Sequence, residues 1–379
     1  MNEDDPKKSE SPPASLRTRS SSSLPAAAPP APRSTARMIP RVTVRLSAVD
    51  FDVVNAARRI LESSLGVVPG DRVLVLLDVE RADMASVMIE VAQSLGAVAN
   101  VFVLEEFGGR PQTELPGPVL DALHTAQASI LLISSHDAET PLRQELLSYV
   151  ADNRLRHAHM PGVSRSSVIV GFSADPQRVA DATRAVRMRM RPSSRLHLRS
   201  TSGSDLVVFF APQHRWVEHV GTIRPGRWEN LPSGALVTAA GEVNGVFVAD
   251  ASLGSEHGSA AGVLEGKPVR FDIENGVCKG VRCNDLTLQR AIEEVLRRER
   301  DLDRVGLVLL GTNIGIARPT GEAVCDQNMP GLHLGFGATF PDQTGATWTS
   351  RGQLIATSAS GDVDLDGAPL LRSGRYIVG

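Results

Sequence analysis

Aromatic side chains are scarce in this chain, 4% of 379 residues, and cysteines are scarcer still: Cys278, Cys283 and Cys325. An odd, sparse set of thiols excludes a disulfide framework and supplies no pair of pairs for structural zinc. Reduced thiols in the cytosol are the reading that fits. Long hydrophobic runs are also missing. The longest, Val73–Leu77 and Val305–Leu310, are strand-sized and far short of the ~20 residues that span a bilayer. No excess of one charge sign stands out. The formal net charge is -3 and charges of both signs are mixed along the chain, which argues against nucleic acid and membrane as partners. The opening Met-Asn-Glu-Asp-Asp is acidic and has no apolar core, unlike a secretory signal. A cytoplasmic location is therefore expected. Two catalytic signatures are absent. No Gly-x-Ser-x-Gly elbow occurs. The turn Val79-Glu80-Arg81-Ala82-Asp83, after the first buried strand, lacks the glycines a dinucleotide pyrophosphate requires.

What is present is ordinary for a globular protein: 42% hydrophobic and 22% charged residues, in a chain long enough for two cored domains. Residues 1–41 are rich in Ser, Pro and Ala and offer too little apolar surface to offset ordering entropy, so a disordered arm is expected there. Its Arg17, Arg19, Arg33 and Arg37 suit a solvated extension, or else a contact to a partner or polyanion. From residue 42 the pattern alternates. A helix through Ser64, capped by Asp50, precedes the Pro69-Gly70-Asp71 turn and a buried strand at Val73–Leu77. Helix and strand then alternate to about residue 165, which implies a parallel sheet with helices on its faces. Residues 166–194 read as a helical connection, with one helix over Asp175–Met190. Beyond residue 195, short Val-, Thr- and Phe-rich segments lie between Gly, Pro and Asn turns. The one convincing helix there is Asn284–Arg300, with Leu288, Ile292, Val295 and Leu296 as its stripe. The fold class is thus α/β plus α+β: a parallel-sheet domain, 42–165, then a mixed, largely antiparallel β domain with one main helix, 195–379.

Several residue groups invite a chemical reading. His157 and His159 share one face of a strand, but two imidazoles alone make a weak metal site, and a structural role is expected. Glu256-His257 sits in a Gly/Ser-rich loop, which preorganises catalysis poorly; a solvated loop is the simpler reading. Asp362, Asp364 and Asp366 alternate as in a calcium loop, yet Ala368-Pro369-Leu370 follows with no closing carboxylate. Exposed acids on a β-turn are expected.

A further set of motifs carries a resemblance. These are Pro69-Gly70-Asp71-Arg72-Val73, Met160-Pro161-Gly162, Asn230-Leu231-Pro232-Ser233-Gly234, Gly245-Val246-Phe247-Val248-Ala249-Asp250, Arg304-Val305-Gly306, Gly311-Thr312-Asn313 and Gly331–Gly337. In this order and spacing the chain resembles the aminopeptidase T family of thermophilic, or leucyl, metallo-aminopeptidases. That resemblance implies a two-domain homodimer with two metal ions in a C-terminal cleft. It also implies which positions hold them. The glutamate expected after Asn-Leu-Pro-x-Gly is Ala235, and a second expected glutamate is Leu307. His333 is retained. The expected tyrosine is Phe340. The stretch Ala346–Gly352, where a His-x-Asp pair belongs, has neither, and an acidic run before the retained histidine reads Asp326-Gln327-Asn328. A ring-cleaving iron dioxygenase of pyridine diols uses the same scaffold and the same His-x-Asp pair, so it meets the same obstacle.

The expectation is a degenerate, metal-free member without cofactor, which binds a peptide or protein ligand and does not cleave it. Asn230, Asn313, His333, Phe340, Trp348 and Arg351 are its expected peptide-binding residues; catalytic and metal residues are none. A narrower expectation is an accessory protein of ribosomal peptide natural-product assembly, of the crocagin type, holding a precursor peptide. The rival reading is an enzyme with a rebuilt site around His333, Asp326 and Glu322, or a metal on the His157–His159 strand. A third is a structural subunit that pairs with an active paralogue.

Overall fold

Unbroken aliphatic runs build the first layer. The computed structural model describes residues 51–191, 195–254, 261–359 and 361–377. The arm 1–41, the cap Asp50 and the pair Glu256-His257 lie outside the described residues. Five parallel strands form one sheet in the order Val98–Val103, Arg72–Leu77, Ala128–Leu132, Arg156–His159, Arg227–Asn230. Alternation along the strand Arg72–Leu77 sends Val73, Val75 and Leu77 to one face and Leu74 and Leu76 to the other. The first face is covered by the helices Phe51–Arg58, which continues as a wider π-helical segment Arg59–Ser64, and Ala82–Ser94. The second is covered by Gly117–Leu123 and Thr140–Asp152. A sheet buried on both faces has no need of polar alternation, which is why its strands stood out in the sequence.

The fifth strand is the departure from expectation. Arg227–Asn230 comes from the half of the chain read as the second domain, yet it pairs with Arg156–His159, Trp228 opposite His157. The polar run Arg-Trp-Glu-Asn gave no strand signal because it lies at the sheet's edge.

Two antiparallel sheets make up the rest. Eight strands run from Val277–Arg282 at one edge to Arg375–Tyr376 at the other. Six run in the order Leu253–Gly254, Gln353–Ala356, Gly331–Gly337, Val305–Gly311, Ala235–Ala239, Val217–His219. Between them lies the largest core, with Leu198, Val208, Phe247 and Phe271 from one sheet and Leu236, Val308, Leu310 and Phe336 from the other. The rings of Phe271 and Phe336 stand 5.1 Å apart. Burial of each such side chain contributes ~1.5–3 kcal/mol. The helix Leu286–Arg297 closes this core with Leu288, Ile292, Val295 and Leu296, the expected stripe. Its N-terminus is capped by Asp285, whose Oδ1 accepts the N–H groups of Thr287 and Leu288 at 3.0 Å. The expected class, a parallel-sheet α/β part followed by largely antiparallel sheets with few helices, is the observed one.

Two glycines of the quoted motifs are needed for close approach. Gly234, at φ +120°, would drive a Cβ to 2.5 Å from Val179. A Cβ on Gly311 would stand 1.9 Å from the carbonyl oxygen of Met329. The three aspartates near the C-terminus are tied into the eight-stranded sheet. Asp364 is buried between Arg199 and Arg372, which corrects the expectation of an exposed acid at that position, while Asp362 and Asp366 are exposed as expected. Asp362 accepts from Ser373 N–H, and Asp366 from Arg195 N–H. All three cysteines are free thiols.

Candidate functional site

The six-stranded sheet has two apolar faces. One belongs to the main core. The other carries Ala235, Val237, Leu307, Leu309 and Ile355, and these residues floor a cavity of about 310 Å³. In an antiparallel sheet, residues directly opposite share a face. Val217 pairs with Val237 and His219 with Ala235, so both join the same wall. Trp228, Asn230, Pro232 and Ser233 form a second wall. Ala323, Val324, Gln327 and Asn328 form a third, and Phe340, Gln343 and Thr344 the mouth. Phe340 is 47% exposed and Trp228 36%. Phe340 sits at φ +50°, a region that a bulky residue seldom occupies; its carbonyl there accepts the N–H groups of Gln343 and Thr344.

The positions that the resemblance singled out do converge. Ala235, Leu307 and Phe340 all line this one cavity, as do Gln327 and Asn328. His333 lies opposite Leu309 and so on the floor's side of the sheet, but its ring is fully buried and does not line the cavity. Its Nδ1 accepts Ser358 N–H at 3.2 Å and its Nε2 donates to Met329 O at 2.9 Å. Burial pushes its pKa down to about 4. A neutral imidazole with both nitrogens occupied has no lone pair for a metal or a ligand.

Among the other expected peptide contacts, Asn230 lines the cavity. Asn313 does not; its amide donates to Gly171 O at 2.9 Å and Ser233 O at 2.7 Å, pinning the segments on either side. Trp348 is stacked under the Arg304 guanidinium, 4.0 Å from the ring centroid, and Arg351 is exposed outside the cavity. The groups of the rival enzyme reading are equally engaged. Asp326 accepts from Thr320 N–H, Thr320 Oγ1 and Gly321 N–H, and Glu322 from Ser164 N–H. Neither lines the cavity. His157 and His159 share a strand face as expected, Nε2 to Nδ1 at 3.2 Å, and His157 Nδ1 meets Ser129 Oγ at 2.9 Å. Burial lowers His157 to about 3 and His159 well below its ordinary value.

Sequence reasoning missed several wall residues. His219, Gln343 and Gln353 belong to no motif; only the alternation Val217-x-His219 hinted that the imidazole shares the face of a valine. Glu229, behind Trp228 and Asn230, was missed as well. Burial raises its carboxyl to about 7, even though Gly221 N–H and Ser233 Oγ donate to it at 2.7 and 3.1 Å.

Residues 52–287 match the family model described as NicX: 2,5-dihydroxypyridine 5,6-dioxygenase. The chain belongs to the NicX family. The match takes in Ala235 and ends before Leu307, His333 and Phe340. Solved structures share the fold, two of them as follows. One is a 2,5-dihydroxypyridine dioxygenase from Pseudomonas putida KT2440, 16% identical, TM-score 0.59, covering 86% of this chain and 97% of its own. The other is AmpT from Thermus thermophilus, 18% identical, TM-score 0.59, covering 86% and 99%. No curated protein matches the chain. The aminopeptidase T-like fold is therefore present, while the family model falls on the dioxygenase side of that scaffold.

A metal centre of the kind the scaffold implies requires several donors converging on one point. Among the described residues no three His, Cys, Asp or Glu side chains are so placed. The cavity floor offers methyl groups at the positions where the resemblance places carboxylates, and His333, on the same side of the sheet, is buried outside the cavity with both ring nitrogens engaged. The described residues do not fit such a centre. No helix among the described residues is long and apolar enough to cross a membrane.

Proposed function

We propose that this NicX-family protein binds a peptide in its cavity without cleaving it. The carrying observation is the aliphatic floor, with Ala235 and Leu307 at the positions where the related peptidases are expected to hold metal. An apolar hole with aromatic Phe340 and Trp228 at its mouth suits an apolar side chain, and neutral amides around it suit a main chain. The narrower form of the reading is a precursor peptide held for modifying enzymes in a ribosomal natural-product pathway, with the protein acting in the cytoplasm as a homodimer. Family membership favours a second reading, an enzyme. Against it stand the hydrogen bonds that already occupy His333, Asp326 and Glu322.

Calorimetry with synthetic peptides, with and without EDTA, separates the two. The expected result is binding that the chelator leaves unchanged, with intact peptide recovered by mass spectrometry. Stoichiometric iron, zinc or cobalt in the purified protein, ring cleavage of 2,5-dihydroxypyridine, or release of amino acids would overturn the proposal.

A further inference from the structure

The strand Arg227–Asn230 is the outermost of the parallel sheet. Leu231 N–H donates to His159 O at 3.0 Å. In a parallel pair, alternate residues turn both main-chain groups to the same neighbour. Glu229 therefore faces the inner strand, and Trp228 and Asn230 turn their N–H and C=O groups outward. Neither main chain meets a partner among the described residues beyond the register with Arg156–His159. Edge strands of this kind are templates for a further strand. Here the same two residues line the cavity with their side chains.

The cavity's lining has its own selectivity. No Asp, Glu, Lys or Arg is part of it. The side chains of Asn230, Gln343, Gln353 and His219 make no hydrogen bond to a described residue, so their polar atoms remain available. A charge placed against Leu309 and Val237 would have no counter-ion and would lose its water.

We infer that an extended peptide joins the parallel sheet along Trp228 and Asn230 and lowers one uncharged, apolar side chain onto the aliphatic floor. This rests on the peptide-binding reading above and adds to it the mode and the selectivity. The main chain supplies affinity through the sheet edge, and the cavity reads one residue.

The test selects random twelve-residue peptides against the full-length protein by phage display; the tightest sequence is then synthesised. Single N-methyl groups, moved along its backbone, remove one donor at a time. Affinity is expected to fall about tenfold at alternate residues and to hold at those between. Replacing the side chain that enters the cavity by Asp or Lys is expected to weaken binding by about tenfold or more. Trp228→Arg, at an exposed position, is expected to abolish it. A selected peptide that shows no two-residue period, that accepts Asp and Lys at every position, or that binds the Trp228→Arg protein unchanged overturns the inference and leaves peptide binding standing. Failure to select any binder overturns both.

Discussion

The two faces of the six-stranded sheet are made of the same residues and do different work. Leu236, Val308 and Leu310 point into the sealed core; Val237, Leu307 and Leu309, their neighbours in sequence, point into the cavity. Composition does not separate them. What stands opposite does: on one side a second sheet with Phe247 and Phe271, on the other a small space with a polar rim. An aliphatic strand face is thus no sign of core until its cover is known. An unbroken run such as Val-Gly-Leu-Val-Leu-Leu records only that both faces avoid charge.

The sharpest way to break this comparison is to truncate adjacent residues. Leu310→Ala removes packing from a closed core and is expected to cost about 3 kcal/mol, whereas Leu309→Ala opens toward an existing cavity and is expected to cost about 1 kcal/mol, while it weakens peptide binding. Urea unfolding of both variants measures the difference; equal costs would mean that the cavity face is packed as tightly as the core.

Buried titrations sharpen the contrast next, because they act in opposite directions. Glu229, held near 7 by burial against an ordinary 4.5, keeps its proton longer when folded. Its contribution is fully present below about 4.5 and is lost as pH rises through 7. The stability of Glu229→Gln relative to the natural protein should therefore rise across that window, by at most ~1.4 kcal/mol per pH unit. His333 and His157, depressed by burial to about 4 and about 3, shed their protons on folding. Their contribution is present above about 6.5 and is lost as pH falls through those values. Denaturant midpoints from pH 4 to 8 read both slopes; a flat Glu229→Gln difference would place that carboxyl in water.

The smallest effect concerns the mouth. Phe340→Gly relieves the left-handed backbone and is expected to leave stability unchanged or raise it by up to about 1 kcal/mol. Peptide affinity is expected to fall, which calorimetry on the same preparation would register. A loss of stability would show that the ring packs rather than waits for a ligand.

Much of this architecture was legible from periodicity. The runs at Val73–Leu77 and Ser129–Ile133, and the stripe Leu288, Ile292, Val295, Leu296, mark elements whose burial demands them. The edge strand Arg227–Asn230 was not legible, since three of its four residues are polar and nothing local distinguishes it from a loop. The site was legible only in part. Resemblance brought Ala235, Leu307 and Phe340 to one place, because backbone motifs persist when side chains change. It did not foresee that His333 turns to Met329 O and Ser358 N, partners supplied from two separate stretches of chain. Nor did it find His219, whose position depends on pairing with Ala235 and not on any neighbour in sequence.

The crossover of Arg227–Asn230 has a mechanical consequence. One short segment, drawn from the later half of the chain, is stitched into the sheet of the earlier half, and it leads directly into the cavity wall at Pro232 and Ser233. Prising that wall away from Trp228 would mean unzipping a strand. A ligand of the proposed kind would therefore have to enter past the rings and amides at the rim, and a fragment cut before Arg195 would leave the first sheet missing its last rung.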